Sequence, residues 1–556
     1  MSKYTLKKIM ENSFEKYPDL PAVSWVDGEP ITYSEMGKKI FHTSSCLHKK
    51  GVGFGDRVVI LSENMPNWAI AYFSIINLGA IAVPILPDFH INEVEHIIMK
   101  TKAKAIFVSK KLFGKIEALE TDFSLSRILI DDFSIIPEDI KSSLVKKVLK
   151  TGSVELQKVA NVALKIAKFI PPEVREDDVA SIIFTSGTTG HSKGVVLTHK
   201  NIVKDAIGGY NIQNLDSNDR LLSILPLSHT YEFTIGCVLP LMNGASIYYL
   251  DKIPAPRILM RAMQKIRPTL VLTVPLIMEK IYKNKILSGF QKNMFLKTLY
   301  KIPFTRKILH KIAGKKVMKS FGGKIKFFGI GGARLSYDVE QFLFEAKFPY
   351  AIGYGLTETS PLIAGFSPKT AVFRSTGKAI TGLKIRIKNK NEKTQEGEIW
   401  VKSDTVMKEY YNEPEKTKEV LVDGWFNTGD LGIYKKEILF IKGRSKNVII
   451  GPSGENIYPE EIEARINRCL LVDESLVYEQ DGKIVARVHL KYEEIDKLYP
   501  KMNDEKVHKK VLLILNEIKT NVNHDLSKYS NINRIIEQTE EFVKTPTNKI
   551  KRYLYN

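Results

Sequence analysis

The chain is 556 residues long, 44% hydrophobic and 26% charged, a globular composition too long for one ordinary core, so at least two domains are expected. Its three cysteines, Cys46, Cys237 and Cys469, have no paired spacing, which argues against a disulfide framework or a cysteine zinc site and points to a reducing compartment. The net charge of +21 comes with no zinc-finger spacing and no RRM-type aromatic motif, so nucleic acid is not the expected partner.

Met1 to Asp19 is too charged to hold the apolar core of a signal peptide, and a cytoplasmic location is expected. Trp68 to Leu86 is uncharged for nineteen residues, long enough in principle to cross a bilayer. Its Asn77, Gly79 and Pro84 favour a helix ending near Gly79 and then a buried strand, Ala80 to Leu86. Up to about Lys442, runs such as Arg57 to Leu61 and Thr269 to Val274 alternate with helical periodicity, which predicts parallel sheets covered on both faces. Val154 to Phe169 reads as a packed helix, with an amphipathic surface helix as the alternative.

Between the apolar runs Ser181 to Phe184 and Val195 to Leu197 lies Thr185-Ser186-Gly187-Thr188-Thr189-Gly190-His191-Ser192-Lys193-Gly194. Glycines and short hydroxyl side chains let backbone N–H groups converge on an anion, and Lys193 supplies a point charge for a phosphate oxygen. A Walker loop places four residues between its glycines and follows the second with Lys and Ser or Thr. Here only Thr188 and Thr189 separate Gly187 from Gly190, so a strand–loop–strand hairpin is expected instead.

Farther on come Pro226-Leu227-Ser228-His229-Thr230-Tyr231-Glu232 and Val274 to Tyr282. From Glu279 to Lys326 the chain then carries fourteen Lys or Arg residues and a single acid, interleaved with apolar side chains. That composition suits an anionic membrane or a polyanionic ligand; a solvated helical face is the alternative. Gly329-Ile330-Gly331-Gly332-Ala333 precedes Tyr354-Gly355-Leu356-Thr357-Glu358-Thr359, in which the aromatic can stack on a purine, Thr357 can donate to a phosphate and Glu358 can hold Mg²⁺. After Thr376, glycine-punctuated alternating runs predict a small antiparallel or barrel-like unit. Asp430, within Asp423 to Gly432, can accept from ribose hydroxyls. Gly443-Arg444-Ser445-Lys446-Asn447, Gly454 to Glu463 and Thr545 to Arg552 complete the series in a segment of mixed helix and strand pattern.

These motifs, in this order, resemble those of the adenylate-forming superfamily of acyl-CoA synthetases, peptide-synthetase adenylation domains and luciferases. The resemblance runs from Thr32-Tyr33-Ser34-Glu35 and Gly55-Asp56-Arg57-Val58 nearly to the end. It implies an α/β and α+β fold: a large N-terminal domain, 1–442, of doubly wound sheets with a β-barrel-like unit, and a mobile α+β domain, 443–556, hinged near Lys446.

It implies, too, that a carboxylate attacks the α-phosphate of MgATP to give an acyl-adenylate and pyrophosphate, after which a thiol attacks the activated carbonyl. No general base is needed for the first step, since a carboxylate of pKa about 4 to 5 is already ionised. By the resemblance, Lys549 contacts the carboxylate and the α-phosphate, while Thr185, Ser186, Gly187, Thr188, Thr189, Gly190 and Lys193 hold the β- and γ-phosphates. Glu358, with Thr185, binds Mg²⁺. Tyr354, Gly355 and Thr357 join Gly331, Gly332 and Ala333 around the nucleotide, and Asp430 and Arg444 hold the ribose. Lys446 is counted with this group. Rotation at the hinge would exchange Lys549 for the face Gly451 to Glu455.

The His229 segment and the one after it resemble those of long-chain fatty-acid CoA ligases, with His229 near the carboxylate. Leu276 departs from an arginine common in that branch, and Asn548 from the glycine usual before the catalytic lysine. Expected partners are therefore a fatty acid, ATP and CoA as cosubstrate, with peripheral contact at the inner face of an anionic membrane. The alternatives are transfer to the phosphopantetheine of an acyl carrier protein, and a non-catalytic membrane-associated lipid-binding protein.

Overall fold

The computed structural model describes residues 3–136, 169–185, 192–252, 255–291, 293–451, 455–500, 504–545 and 549–555. The helix expected over 154–169 lies outside them except for its last residue.

Short runs that are apolar on both faces are stable only between covering layers, and Arg57–Leu61 shows the result: Val58, Val59, Ile60 and Leu61 are wholly buried. This strand pairs in parallel with Ile81–Ile85 and Ala105–Val108. Ser126–Leu129 extends one side, and Val179–Thr185 joins Ile81–Ile85 on the other. Lys193–Thr198 then returns antiparallel to Val179–Thr185, with Thr185 opposite Lys193, so the hydroxyl-rich loop does join two strands. Glu409–Tyr410 pairs beyond it.

A second sheet has Arg220–Ser223, Ser246–Tyr249, Leu270–Thr273, Phe327–Ile330 and Tyr350–Gly355 in parallel, followed by antiparallel Leu362–Gly365 and Lys378–Ala379. Both sheets share a core with the helices Tyr33–Lys49, Pro66–Asn77 and His199–Ile212. In it Trp68 stacks on Tyr72 at 5.6 Å between ring centroids, and Tyr72 meets Phe233 at 4.1 Å.

The uncharged run divides as expected into Pro66–Asn77 and Ile81–Ile85. Gly79 between them has φ +65°, and a Cβ there would lie 2.4 Å from the Phe54 ring, so only glycine fits the joint. No helix of the described residues is long and apolar enough to cross a membrane. The two earliest motifs are structural. Thr32 and Glu35 form a capping box at the start of Tyr33–Lys49, and Asp56 closes a turn by accepting from the Gly53 N–H at 2.9 Å.

After Thr376 the chain forms the antiparallel unit of Lys384–Lys388, Gly397–Lys402, Trp425–Lys435, Leu421–Val422 and Ile438–Arg444. The last part packs helices Pro459–Ile466 and Asp504–His524 against Val472–Gln480, Lys483–Leu490 and Arg534–Glu537, around a core of its own.

Candidate active site

Tyr350–Gly355 ends beside a tight turn that holds Glu358. A Cβ on Gly355 would lie 1.7 Å from the Pro361 carbonyl oxygen. That oxygen also accepts from the Leu356 N–H at 3.0 Å and the Thr359 hydroxyl at 2.7 Å, so the turn closes back on a residue that must lack a side chain. Glu358 Oε1 accepts from the Tyr410 hydroxyl at 2.9 Å, and Lys193 Nζ sits 5.0 Å from the centre of the same ring. Tyr410 thus links the Lys193 strand to Glu358. Sequence reading missed it, because the two residues of the hydrogen bond are 52 apart and no motif joins them.

The expected ribose pair is assembled. Asp430 is buried; its carboxylate accepts from the Tyr354 hydroxyl at 2.7 Å and lies 3.0 Å from Arg444 Nε. Burial raises the Asp430 pKa, opposed first by the Arg444 guanidinium. Gly331 donates its N–H to the Thr273 carbonyl at 3.1 Å, which sets Gly331 to Ala333 at the end of Phe327–Ile330, and Gly331 packs against the Tyr231 ring. Thr357 shares the turn of Glu358.

Lys549 reaches this cluster from the last segment. The residue as a whole is exposed, and the groups around its ammonium lower its pKa, by desolvation first and then by Arg444, with Asp430 and Glu358 opposing. It also acts on His229, whose pKa is lowered to about 4 by burial and then by Lys549. His229 is therefore neutral at pH 7. Its Nδ1 accepts from the Tyr231 N–H at 3.2 Å, which assigns the ring proton to Nε2 and leaves that nitrogen a donor.

The segment before His229 is pinned from below. Asn64 donates to the Ser223 hydroxyl at 2.9 Å and the Leu225 carbonyl at 2.6 Å, and accepts from the Leu227 N–H at 2.8 Å. Ser223 in turn donates to Glu232 at 2.6 Å. Glu232 is wholly buried beside Tyr231, Cys237 and Tyr249, and burial raises its pKa to about 8. The fold keeps this proton where the unfolded chain has lost it, so stability should fall as pH rises from the ordinary carboxylate range to about 8 and level off above. Melting temperatures across that range test this: the slope should be shallower in Glu232→Gln, and parallel curves would contradict it.

Behind Tyr231 lies a narrow apolar cleft, walled by residues such as Ile212, Leu215, Ile235, Leu272 and Phe366. Gly209, Gly329, Gly353 and Gly365 also line it.

One helix holds the segment that follows Lys549. Pro459–Ile466 carries Glu463, which pairs with Arg552 at 2.6 Å, and Lys549 stands three residues before Arg552. Lys283, from the basic stretch, donates to the carbonyls of Asn467, Cys469 and Val472 at 3.3, 2.7 and 2.8 Å. A cation is well placed there, since the last carbonyls of a helix lack intrahelical partners. Burial, then Lys491, lowers the Lys283 pKa to about 8, so it remains mostly cationic at pH 7. Arg334 to Glu461 at 3.0 Å and Arg468 to Asp338 at 2.9 Å hold the same helix and the loop after it.

Not every expected residue joins the cluster. Ser186, Gly187, Thr188, Thr189 and Gly190 lie outside the described residues, as do 452–454 and Asn548. Lys446 stands exposed on the turn Ser445–Asn447 and makes none of these contacts among the described residues. Leu276 is 43% exposed.

A family model described as AMP-binding enzyme matches residues 10–411. Relatives include the protein named Long chain acyl-CoA synthetase 7, peroxisomal, of Arabidopsis thaliana, 26% identical over 94% of this chain and 79% of its own length. The long-chain-fatty-acid–CoA ligase of Bacillus subtilis (strain 168) is 29% identical over 85% of this chain and 82% of its own. Among solved structures, ATP-bound MatB from Rhodopseudomonas palustris has TM-score 0.75 at 22% identity, over 99% of this chain and 98% of its own. MenE from Bacillus subtilis, in complex with ATP and magnesium ion, has TM-score 0.73 at 21% identity, with 98% of each chain covered. At these identities the likeness to solved structures is one of fold.

Proposed function

The chain belongs to the AMP-binding enzyme family, and on that premise we propose that it is an ATP-dependent, AMP-forming acyl-CoA ligase for long-chain fatty acids. The observation that carries the reading is the meeting of Lys549, neutral His229 and the Asp430–Arg444–Tyr354 cluster beside an apolar cleft.

In the first half-reaction a carboxylate oxygen of the fatty acid attacks the α-phosphorus of ATP, and the bond to the bridging oxygen breaks to release pyrophosphate. Two negatively charged groups must approach, so positioning and charge neutralisation supply the catalysis. Lys549 balances charge between carboxylate and α-phosphate, His229 Nε2–H orients the carboxylate, and Asp430 accepts from the ribose hydroxyls. Lys193, with Thr185 and the loop between them, retains the departing pyrophosphate.

Among the described residues no three His, Cys, Asp or Glu side chains form a metal cage. Mg²⁺ would thus arrive with the nucleotide, using the Glu358 carboxylate and Thr185 hydroxyl as hard oxygen donors and neutralising phosphate charge. In the second half-reaction the CoA thiolate attacks the acyl carbonyl and AMP leaves. Residues 443–556 turn about a hinge near Lys446 between the two steps, which withdraws Lys549.

The relatives named for long-chain acids and the apolar lining of the cleft support the choice of substrate. Ile212 is a half-exposed wall residue at the end of His199–Ile212. Each buried methylene contributes ~0.8 kcal/mol, so Ile212→Trp, by excluding about two methylenes, should raise KM for the longest acids about tenfold and leave shorter ones unaffected. Equal KM changes at every length would argue against the cleft as the acyl site. The acceptor is tested by mixing enzyme, MgATP and palmitate with either CoA or holo-acyl carrier protein. A thioester on CoA is expected, and one formed only on the carrier would overturn that part of the reading.

A further inference from the structure

The basic stretch folds into helices that include Met294–Lys301 and Pro303–Ser320, inserted between Leu270–Thr273 and Phe327–Ile330. Leu270, Leu272, Phe327 and Gly329 of those two strands line the apolar cleft. Pro303–Ser320 has two unlike faces. Inward lie buried His310, Gly314 and Val317, and Arg306 pairs with Glu345 at 2.8 Å. Outward, one turn apart, stand Phe304, Ile308 and Ile312, which are 74%, 45% and 50% exposed. Met294 and Phe295 of the preceding helix are exposed as well.

Lysines border this apolar row. Lys307, Lys311, Lys315, Lys316 and Lys319 are exposed, and among the described residues none of them has a carboxylate within ion-pair distance, whereas Lys326 pairs with Asp219 at 3.1 Å. Pro303–Ser320 contains no acid. A solvated helix keeps its apolar side chains on the packed face, so a second apolar row on the open face marks a contact surface. Lysine stems can lie along an apolar boundary with their ammonium groups at its polar edge. Charge of one sign over five turns matches a plane of repeated anions.

We propose that this face docks on an anionic lipid bilayer, with Phe304, Ile308 and Ile312 entering the boundary between headgroups and acyl chains and the lysines engaging the headgroups. The inference goes beyond the catalytic reading, and its test needs no substrate, so either can fail alone.

The full chain would be sedimented with phosphatidylcholine vesicles, with and without phosphatidylglycerol, at rising salt. Binding is expected only with phosphatidylglycerol present and should weaken as salt screens the lysines. Phe304→Ser/Ile308→Ser/Ile312→Ser, and separately Lys311→Glu/Lys315→Glu, should each bind at least about tenfold more weakly. Because all five side chains are exposed, unchanged melting would confirm folding, and the charge-reversed variant carries the test should the apolar one misfold. Binding indifferent to anionic lipid and salt, variants that sediment like the parent, or a parent that binds holo-acyl carrier protein but no vesicle would overturn the proposal.

Discussion

Replacing Lys549 with alanine is expected to slow pyrophosphate release with MgATP and a fatty acid by about 10²–10³-fold, the cost of removing one preorganised charge from a developing transition state. The group is placed for that task. Asp430 and Glu358 favour its charge while burial and Arg444 oppose it, so the cation is held by its surroundings and poorly compensated until a phosphate and a carboxylate arrive. Thioester formation from supplied acyl-adenylate and CoA should change little, since the proposed rotation withdraws Lys549 from that step. Lys549→Arg should not restore the rate, because a planar guanidinium is a poor substitute for a compact ammonium between two anions. Equal loss in both half-reactions would show that the lysine serves the fold instead.

Lys283→Met is expected to reduce the first half-reaction by roughly tenfold to a hundredfold, since hydrogen bonds to a charged donor are worth about 1.5–3 kcal/mol and each 1.4 kcal/mol is a factor of ten. Lys283 touches no reacting group in this account. It fastens the end of Pro459–Ile466 to the N-terminal part, and that helix, through Glu463 and Arg552, holds the loop of Lys549. Its loss should therefore act as a shift away from the closed arrangement: lower kcat for adenylation, little change in KM for ATP, and thioester formation retained or faster. Loss of both activities with a lowered melting temperature would reduce Lys283 to a structural anchor.

Much of the architecture was legible because local rules and global packing agree. Doubly apolar runs became parallel strands, and Gly79 marked the joint that rules out a continuous span. The antiparallel unit was announced by its glycines and alternation after Thr376. The placing of the candidate residues was legible where a motif keeps its partners near in sequence, as in the turn of Glu358, and where the resemblance named distant ones together, as for Asp430 and Lys549, whose roles stay proposals. What escaped is pairwise and long-range. Tyr410 on Glu358 and Asn64 beneath the His229 segment join residues far apart, and no periodicity reports such a meeting. Lys283 was hidden in plain composition, one lysine among fourteen basic residues, until three carbonyls of a distant segment distinguished it. The His229 tautomer likewise depends on one backbone N–H that a motif does not show.

The central claim is most directly tested by pyrophosphate release from the full chain with MgATP and saturated fatty acids of graded length, before and after CoA is added. The account predicts release that depends on the acid, rises toward long chains, leaves AMP as the nucleotide product and continues into acyl-CoA once the thiol is supplied. No release with any carboxylate, and no difference between the parent chain and Lys549→Ala, would contradict it.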